Sequence, residues 1–329
     1  MSSQIRNLRN KTVVITGASS GAGRAIAEIF AKEGASLVLG ARGIDALYEV
    51  ADNCELLGAR VAVMEIDVTI AADLINLAAL AVKFNKQIDI WINNAGVLAV
   101  GPFDEIPVQI HDQVIKTNLM GYMYGAHAVI PYFKRQAYGI LINNISIGGF
   151  LPVPYGVGYS ASKFGLRGFS AALKAELSAW KDIHICDTFP AFLDSPGMQH
   201  AANYTGKVIQ PMPPTLDPIH LAKKILMLAK RPRDSSFIHL TSIGLRFFYL
   251  FFPRVTRATS TRLIRSYFKK ADNSIKTDGN LYFPAAFGTS ISGGWQYMRK
   301  AKFASTARVT SFVLSLGILA YLLNRNISK

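Results

Sequence analysis

Short apolar runs alternate with longer stretches of helical periodicity through the first 240 residues. The runs at 12–16, 36–40, 61–66, 88–93, 140–145, 185–189 and 237–240 predict seven strands. ILINNI at 140–145 is continuously apolar before its asparagines, as suits a strand covered on both faces. After the first strand, GRAIAEIFAKEG sets Ile26, Ile29 and Phe30 on one helical face, with Gly34 where a C-terminal cap is expected. Strands and helices in strict alternation predict an α/β fold on a doubly wound parallel sheet of about seven strands. A proline-rich stretch, QPMPPTLDP, precedes a short helix starting near Ile219. Past residue 241 the alternation stops, and a helical, basic and apolar extension is expected over 241–304. A final apolar helix is expected over 305–325.

Composition changes this picture at its C-terminal end. Half of the 329 residues are hydrophobic and the mean hydropathy is +0.23, high enough to prompt a search for a membrane segment. The net charge of +15 is concentrated there too. Residues 236–329 hold 14 Lys/Arg against Asp272 and Asp278, a net of +12, which leaves only +3 for everything before them. Cys54 and Cys186 stand far apart and in no metal-ligand spacing, so two reduced structural thiols are expected and no metal site. MSSQIRNLRNK has no apolar core, and no secretory signal is expected.

Candidate chemistry begins where the first strand ends. Thr16-Gly17-Ala18-Ser19-Ser20-Gly21-Ala22-Gly23 leads straight into a helix. Glycines there admit positive φ and close approach of a pyrophosphate, while the helix N-terminus offers N–H groups and partial positive charge. The second strand ends in LVLGARG, with Ala41 where an acid would bind the ribose hydroxyls of NAD and repel a 2′-phosphate. Arg42 follows, and a guanidinium is the natural partner of a phosphate dianion, which favours NADP(H). Asp67 and Val68 would lie beside the adenine, although an acid there also suits a cap on the next helix.

Further along, GYSASKFGLRGFSAALKAEL is a long helical pattern carrying Tyr159 and Lys163 four residues apart, hence on one face. Ser146 closes the fifth strand, at the carboxyl edge where open α/β sheets bind ligands. Together with the glycine turn, the NNAG run (Asn93 to Gly96) and Asn118 in KTNLMG, these motifs resemble the short-chain dehydrogenase/reductase family over roughly residues 10–240. The resemblance implies a Rossmann-like domain over 1–240. It implies Tyr159 as general acid/base, Lys163 on the nicotinamide ribose and lowering the tyrosine pKa, and Ser146 on the substrate carbonyl. Asn118 would hold a water in a proton relay. For the cofactor it implies Gly17, Ser19, Ser20, Gly21, Gly23, Arg42, Asp67, Val68, Asn94, Ala95, Gly96, Tyr159, Lys163, Pro190 and Ser195. Two departures stand out. Pro190 is followed by Ala191 where the family has glycine, and Ser195 replaces the threonine that holds the nicotinamide carboxamide.

The tail sets the expected surroundings. Residues 309–323, VTSFVLSLGILAYLL, carry no charge. Fifteen helical residues span about 22 Å against a hydrocarbon core of roughly 30 Å, so flanking residues are needed for even a marginal span. Basic residues precede the run more densely than they follow it, which puts the catalytic domain on the cytoplasmic side. Upstream, LRFFYLFFPRVTRATSTRLIRSYFKK interleaves aromatics with Arg and Lys, a composition suited to anionic lipid or to nucleic acid. Beside an apolar C-terminus the lipid reading is favoured, with no nucleic-acid partner. The family resemblance makes this region the outer wall of the substrate pocket. The expectation is a membrane-associated, NADP(H)-dependent carbonyl/alcohol oxidoreductase with a lipophilic substrate. The alternative is an NADP(H)-binding membrane scaffold or sensor without turnover. A homodimer is compatible with either.

Overall fold

The structure is a computed structural model that describes residues 7–238 and 240–296. The expected anchor over 305–325 lies outside the described residues, as does the extension beyond 296. Among the described residues no helix is long and apolar enough to cross a membrane.

Seven parallel strands form the centre: β1 (Thr12–Thr16), β2 (Ser36–Ala41), β3 (Arg60–Glu65), β4 (Ile90–Asn93), β6 (Gly139–Asn144), β7 (Ile183–Phe189) and β9 (Ser235–Phe237). Their order is β3-β2-β1-β4-β6-β7-β9, so the chain reverses direction of winding between β1 and β4. β5 (Ala99–Val100) and β8 (Ala202–Asn203) make a separate two-stranded parallel pair beside the carboxyl edge.

Alternation along the strands divides the core between two faces. Val13, Ile15, Leu37 and Leu39 point to one side, where they meet Ile26 and Phe30 of α1 (Gly21–Lys32), Leu47 of α2 (Ile44–Leu56) and Ile225 of α7 (Pro218–Lys230). Val14, Val38, Trp91 and Leu141 point to the other, against Leu77 of α3 (Ala71–Asn85) and Phe133 of α5 (Gly121–Gln136). Leu173 of α6 (Val157–Glu176) packs on the same face. Each side is closed by wholly buried side chains, so strand after strand is apolar on both faces. α1 ends as its glycine foretells: Gly34 sits at φ +74°, and the N–H groups of Gly34 and Ala35 cap the carbonyls of Ala31 and Phe30. Both cysteines are free and buried, which pushes each thiol up to about 12.

Element ends differ from expectation by a residue or two, with one consequential case. The last strand stops at Phe237, and a helix already runs at Leu240, where the apolar sequence suggested a longer strand. α8 (Leu240–Phe251) and α9 (Pro253–Lys270) then form a hairpin, with Pro253 starting the second helix. It stands over the carboxyl edge, held by Arg246 stacked on Phe150 and Phe237 at 4.4 and 5.3 Å. Arg265 donates to the Tyr155 hydroxyl, and Tyr267 donates to the Val208 carbonyl. After α9 the extension is not helical. Residues 272–294 run back across the β1–α1 turn as an irregular strap, stitched down by main-chain bonds such as Gly21 N–H to Ser290 O, 2.9 Å.

Candidate active site

One cavity of about 1380 Å³ runs along the carboxyl edge, from the β1–α1 turn past the end of β6 to the helical hairpin. At its first end Gly17 has φ +67°, and a Cβ there would lie 2.7 Å from the Ala95 Cα. Gly23 is tighter still: a Cβ would fall 2.0 Å from the Gly17 carbonyl oxygen and 2.8 Å from Asn94 Nδ2. Only glycine lets α1 start this close to the strand. Ser20 is the N-cap residue, yet its side chain makes no capping bond; with Ser19 it faces the cavity. Asn94 locks the turn by donating to the carbonyls of Thr16 and Gly17, and it accepts from Asn144 at 2.9 Å. Uncommitted serine hydroxyls and a glycine-limited approach at a helix start fit a pyrophosphate, although the first N–H of that helix, Gly21, is taken by Ser290 O of the strap.

Around the next bend lie Arg42, Asp67, Val68, Ala95 and Gly96. The Arg42 guanidinium is mostly buried, which lowers its pKa, and it donates to the carbonyls of Asn280 and Leu281 in the strap. It therefore ties the strap down while facing the cavity. Asp67 accepts from the Thr69 N–H through Oδ1, a local turn before α3 and not the cap on that helix considered as its alternative, since Ile70 is the N-cap residue.

At the reactive end three side chains meet. Tyr159 and Lys163 project from one face of α6, with the ammonium 5.6 Å from the Tyr159 ring centroid and 5.2 Å from that of Tyr122. The Tyr159 hydroxyl faces Ser146. Ser146 sits at φ +113°, a conformation that costs an L-residue about 1–3 kcal/mol and that concentrates at working sites. Its Oγ accepts the Gly148 N–H at 3.1 Å, which leaves its own proton free to donate. Burial pushes the phenol above its ordinary value, while the Ser146 hydroxyl pulls the other way. Burial also draws Lys163 down to about 7. Desolvation favours the neutral form of each group.

Asn118 stands apart from these three. It lies in a π-helical turn, Lys116–Met120, between α4 (Val108–Ile115) and α5. Its amide is wholly buried, accepting the Val97 N–H at 2.8 Å and donating to the Val97 carbonyl at 2.9 Å and to Ser162. The side-chain amide braces the loop over Gly96. A π-helical turn at this point is the kind of irregularity that gathers at functional sites. Pro190 and Ser195 line the cavity wall opposite, and the Ser195 Cβ would be 3.3 Å from a Cβ on Gly21.

The sequence had not singled out the strap or its anchor. Asp194, almost wholly buried, accepts Trp295 N–H at 2.7 Å and Ser292 Oγ at 3.0 Å, and Trp295 Nε1 donates to the Ser195 carbonyl. An acid inside the apolar AFLDSP loop was the available signal, but its partners lie about a hundred residues on.

Residues 11–205 match the family model described as short chain dehydrogenase. An uncharacterized oxidoreductase of Bacillus subtilis, YxnA, is 27% identical, with 97% of this chain and 91% of its own length covered. An uncharacterized oxidoreductase of Staphylococcus saprophyticus is 33% identical over 52% of this chain and 69% of its own. Among solved structures, a short-chain dehydrogenase/reductase from Burkholderia phymatum in complex with NAD superposes with a TM-score of 0.67 at 26% identity, covering 76% of this chain and 97% of that one. An alcohol dehydrogenase from Thermococcus sibiricus complexed with 5-hydroxy-NADP gives 0.61 at 26% identity, over 70% and 96%.

Proposed function

The chain belongs to the short-chain dehydrogenase family and is an oxidoreductase of that type, and from this we propose that it interconverts a carbonyl and an alcohol on a lipophilic substrate using NADP(H). The observation that carries the reading is the Tyr159 phenol facing Ser146, with the Lys163 ammonium 5.6 Å from its ring, in the same cavity as the glycine turn. Gly17, Ser19, Ser20, Gly21 and Gly23 would hold the pyrophosphate, Asp67 and Val68 the adenine, and Asn94 to Gly96 the middle of the dinucleotide. When bound, its nicotinamide supplies or accepts the hydride. Ser146 donates a hydrogen bond to the substrate oxygen and steadies the charge that develops there. Tyr159 delivers the proton to that oxygen in reduction and removes it in oxidation.

For NADP(H) over NAD(H) the support is Ala41 at the end of β2 and the guanidinium of Arg42 beside it. Two of its five N–H donors go to the strap, and the remainder are available to a 2′-phosphate. The long, apolar wall contributed by α8 and α9 supports a lipophilic substrate. Placement at a membrane, with the domain on the cytoplasmic side, rests on the sequence of 305–325.

The test is oxidation of NADPH and of NADH by the purified chain against a panel of hydrophobic ketones. Tyr159→Phe is expected to lower kcat about 10²–10⁴-fold with cofactor affinity preserved. Undiminished turnover by that variant would refute the mechanism, and equal use of NADH would refute the cofactor preference. Tight NADPH binding without turnover of any ketone would support the sensor reading instead.

A further inference from the structure

The α8–α9 hairpin has an apolar elbow that nothing among the described residues covers. Leu250 and Phe251 are 66% and 68% exposed, and Phe247, Phe252 and Val255 beside them are also open. Isolated apolar residues on a surface are ordinary, but a contiguous group of aromatic and aliphatic side chains marks a contact surface. The same two helices carry Arg246, Arg254, Arg257, Arg262, Arg265, Lys269 and Lys270 and no acidic residue. An apolar tip with a purely cationic shoulder is the composition of a surface that seats in an anionic lipid interface. A second copy of the chain is a poorer occupant, because two such elbows would set like charges against each other. A nucleic acid would match the charge but not the leucine and valine at the tip.

The cavity adds an independent observation. Leu245 of α8 and Leu263 of α9 line it, yet they are 43% and 41% exposed. Side chains that both line a cavity and face solvent mark its mouth. Phe192 and Phe287 meet the same test toward the strap, so the cavity has more than one opening; the one formed by Leu245 and Leu263 lies between the two helices, with Arg257 on its elbow side.

We propose that the α8–α9 elbow is a docking surface for an anionic lipid bilayer, and that the active-site cavity takes its substrate sideways out of that bilayer through the mouth between the helices. The second half rests on the lipophilic substrate proposed above; the first does not. Docked in this way, the mouth opens into hydrocarbon, and an apolar substrate reaches Ser146 and Tyr159 without crossing water.

The test uses the full chain with Phe251→Cys carrying a nitroxide, since Cys54 and Cys186 are buried. A second label at Lys181→Cys, just before β7 at the amino edge of the sheet, reports the far side. The apolar run 309–323 can hold the chain to vesicles by itself, so depth at 251 is the readout rather than bulk binding. On phosphatidylcholine vesicles containing phosphatidylserine, the label at 251 is expected to be shielded from a water-soluble nickel chelate and open to oxygen, while that at 181 stays in water. A label at 251 that remains in water on vesicle-bound chain overturns the proposal. So does dipolar broadening between 251 labels without lipid, which assigns the elbow to a second copy, or shielding by single-stranded RNA in place of vesicles.

Arg254→Glu with Arg262→Glu tests the charge and the route, because neither residue lines the cavity. Partition of the elbow is expected to fall about fivefold for each charge removed. Turnover of a long-chain ketone dissolved in vesicles should fall with it, while a short water-soluble ketone is turned over as before. An unchanged rate on the vesicle-borne ketone, or equal losses on both, overturns lateral entry. If wild type turns over neither ketone the enzymatic reading fails, and the label depth still decides the docking.

Discussion

Lys163 and Ser146 show what the site costs the fold at the scale of single residues. The Lys163 ammonium is almost wholly buried, and burial draws its pKa from 10.5 to about 7. Its folded pKa is depressed, so the unfolded chain binds the proton more tightly. Stability contributed by this group therefore rises with pH between about 7 and 10.5, and the penalty of burying the charge is fully present below 7. Replacing it by an apolar chain of similar length removes that penalty. Lys163→Met is expected to raise the stability of the ligand-free protein at pH 7, by at most ~5 kcal/mol, with the gain vanishing above pH 10.5. Chemical denaturation of both proteins across this range checks it; a destabilised variant at pH 7 would mean that the lysine has a favourable partner outweighing its desolvation. Ser146→Ala is expected to cost about 10²–10³-fold in kcat with little change in cofactor affinity, since its hydroxyl bonds to charge that appears only as the reaction proceeds. Steady-state kinetics beside cofactor titration separates the two.

Elements explain why some of this was legible in the sequence and some was not. The seven strands could be drawn because each is a local apolar run, and Tyr159 and Lys163 could be placed on one face because helical spacing is local. Ser146 at a strand end and the glycine turn before α1 are local signals too. The pairing of β5 with β8 rests on two residues from each strand, too few to show a period. The strap is held through main-chain carbonyls at Asn280, Leu281, Thr289 and Ser290, which look the same whatever the side chain. Its buried side-chain anchor is Asp194, whose partners are remote in sequence, while Lys276 to Glu105 and Asp278 to Tyr204 hold it at the surface. Asn118 was picked out by its motif, but its commitment to Val97 depends on the π-helical turn, which no periodicity announces. The strap's anchoring has a measurable consequence. Asp194→Ala deletes two hydrogen bonds to a buried carboxylate, each worth roughly 1.5–3 kcal/mol. Residues 280–296 should then exchange amide hydrogens faster than in wild type, and NADPH should dissociate faster, while the α3 and α5 amides stay protected. Hydrogen exchange confined to wild-type rates along the strap would show that Arg42 and Gly21 hold it without Asp194.

Across the whole molecule, the sheet, the strap and the hairpin divide the labour along one cavity. The switch point between β1 and β4 opens the crevice, the strap closes its glycine-turn end, and α8 with α9 walls the other. Chemistry sits between them, where Ser146 ends β6 and Tyr159 rises from α6. At the hairpin end Leu245, Phe248, Leu263 and Ile264 form an apolar strip, flanked by polar side chains of α9 such as Thr256, Arg257, Ser260 and Lys270. That strip makes a substrate's apolar chain, extending away from its carbonyl, the part that the hairpin recognises. Each methylene moved from water into such a wall contributes about 0.8 kcal/mol. In a series of linear ketones, kcat/KM should therefore climb by about fourfold per methylene until the chain fills the wall, then level off. Phe248→Ala, which enlarges the wall by one aromatic ring, should shift the plateau toward longer chains while leaving the shortest ketone unaffected. A kcat/KM independent of chain length would show that the substrate leaves the hairpin end empty, and the apolar wall would then belong to something other than turnover.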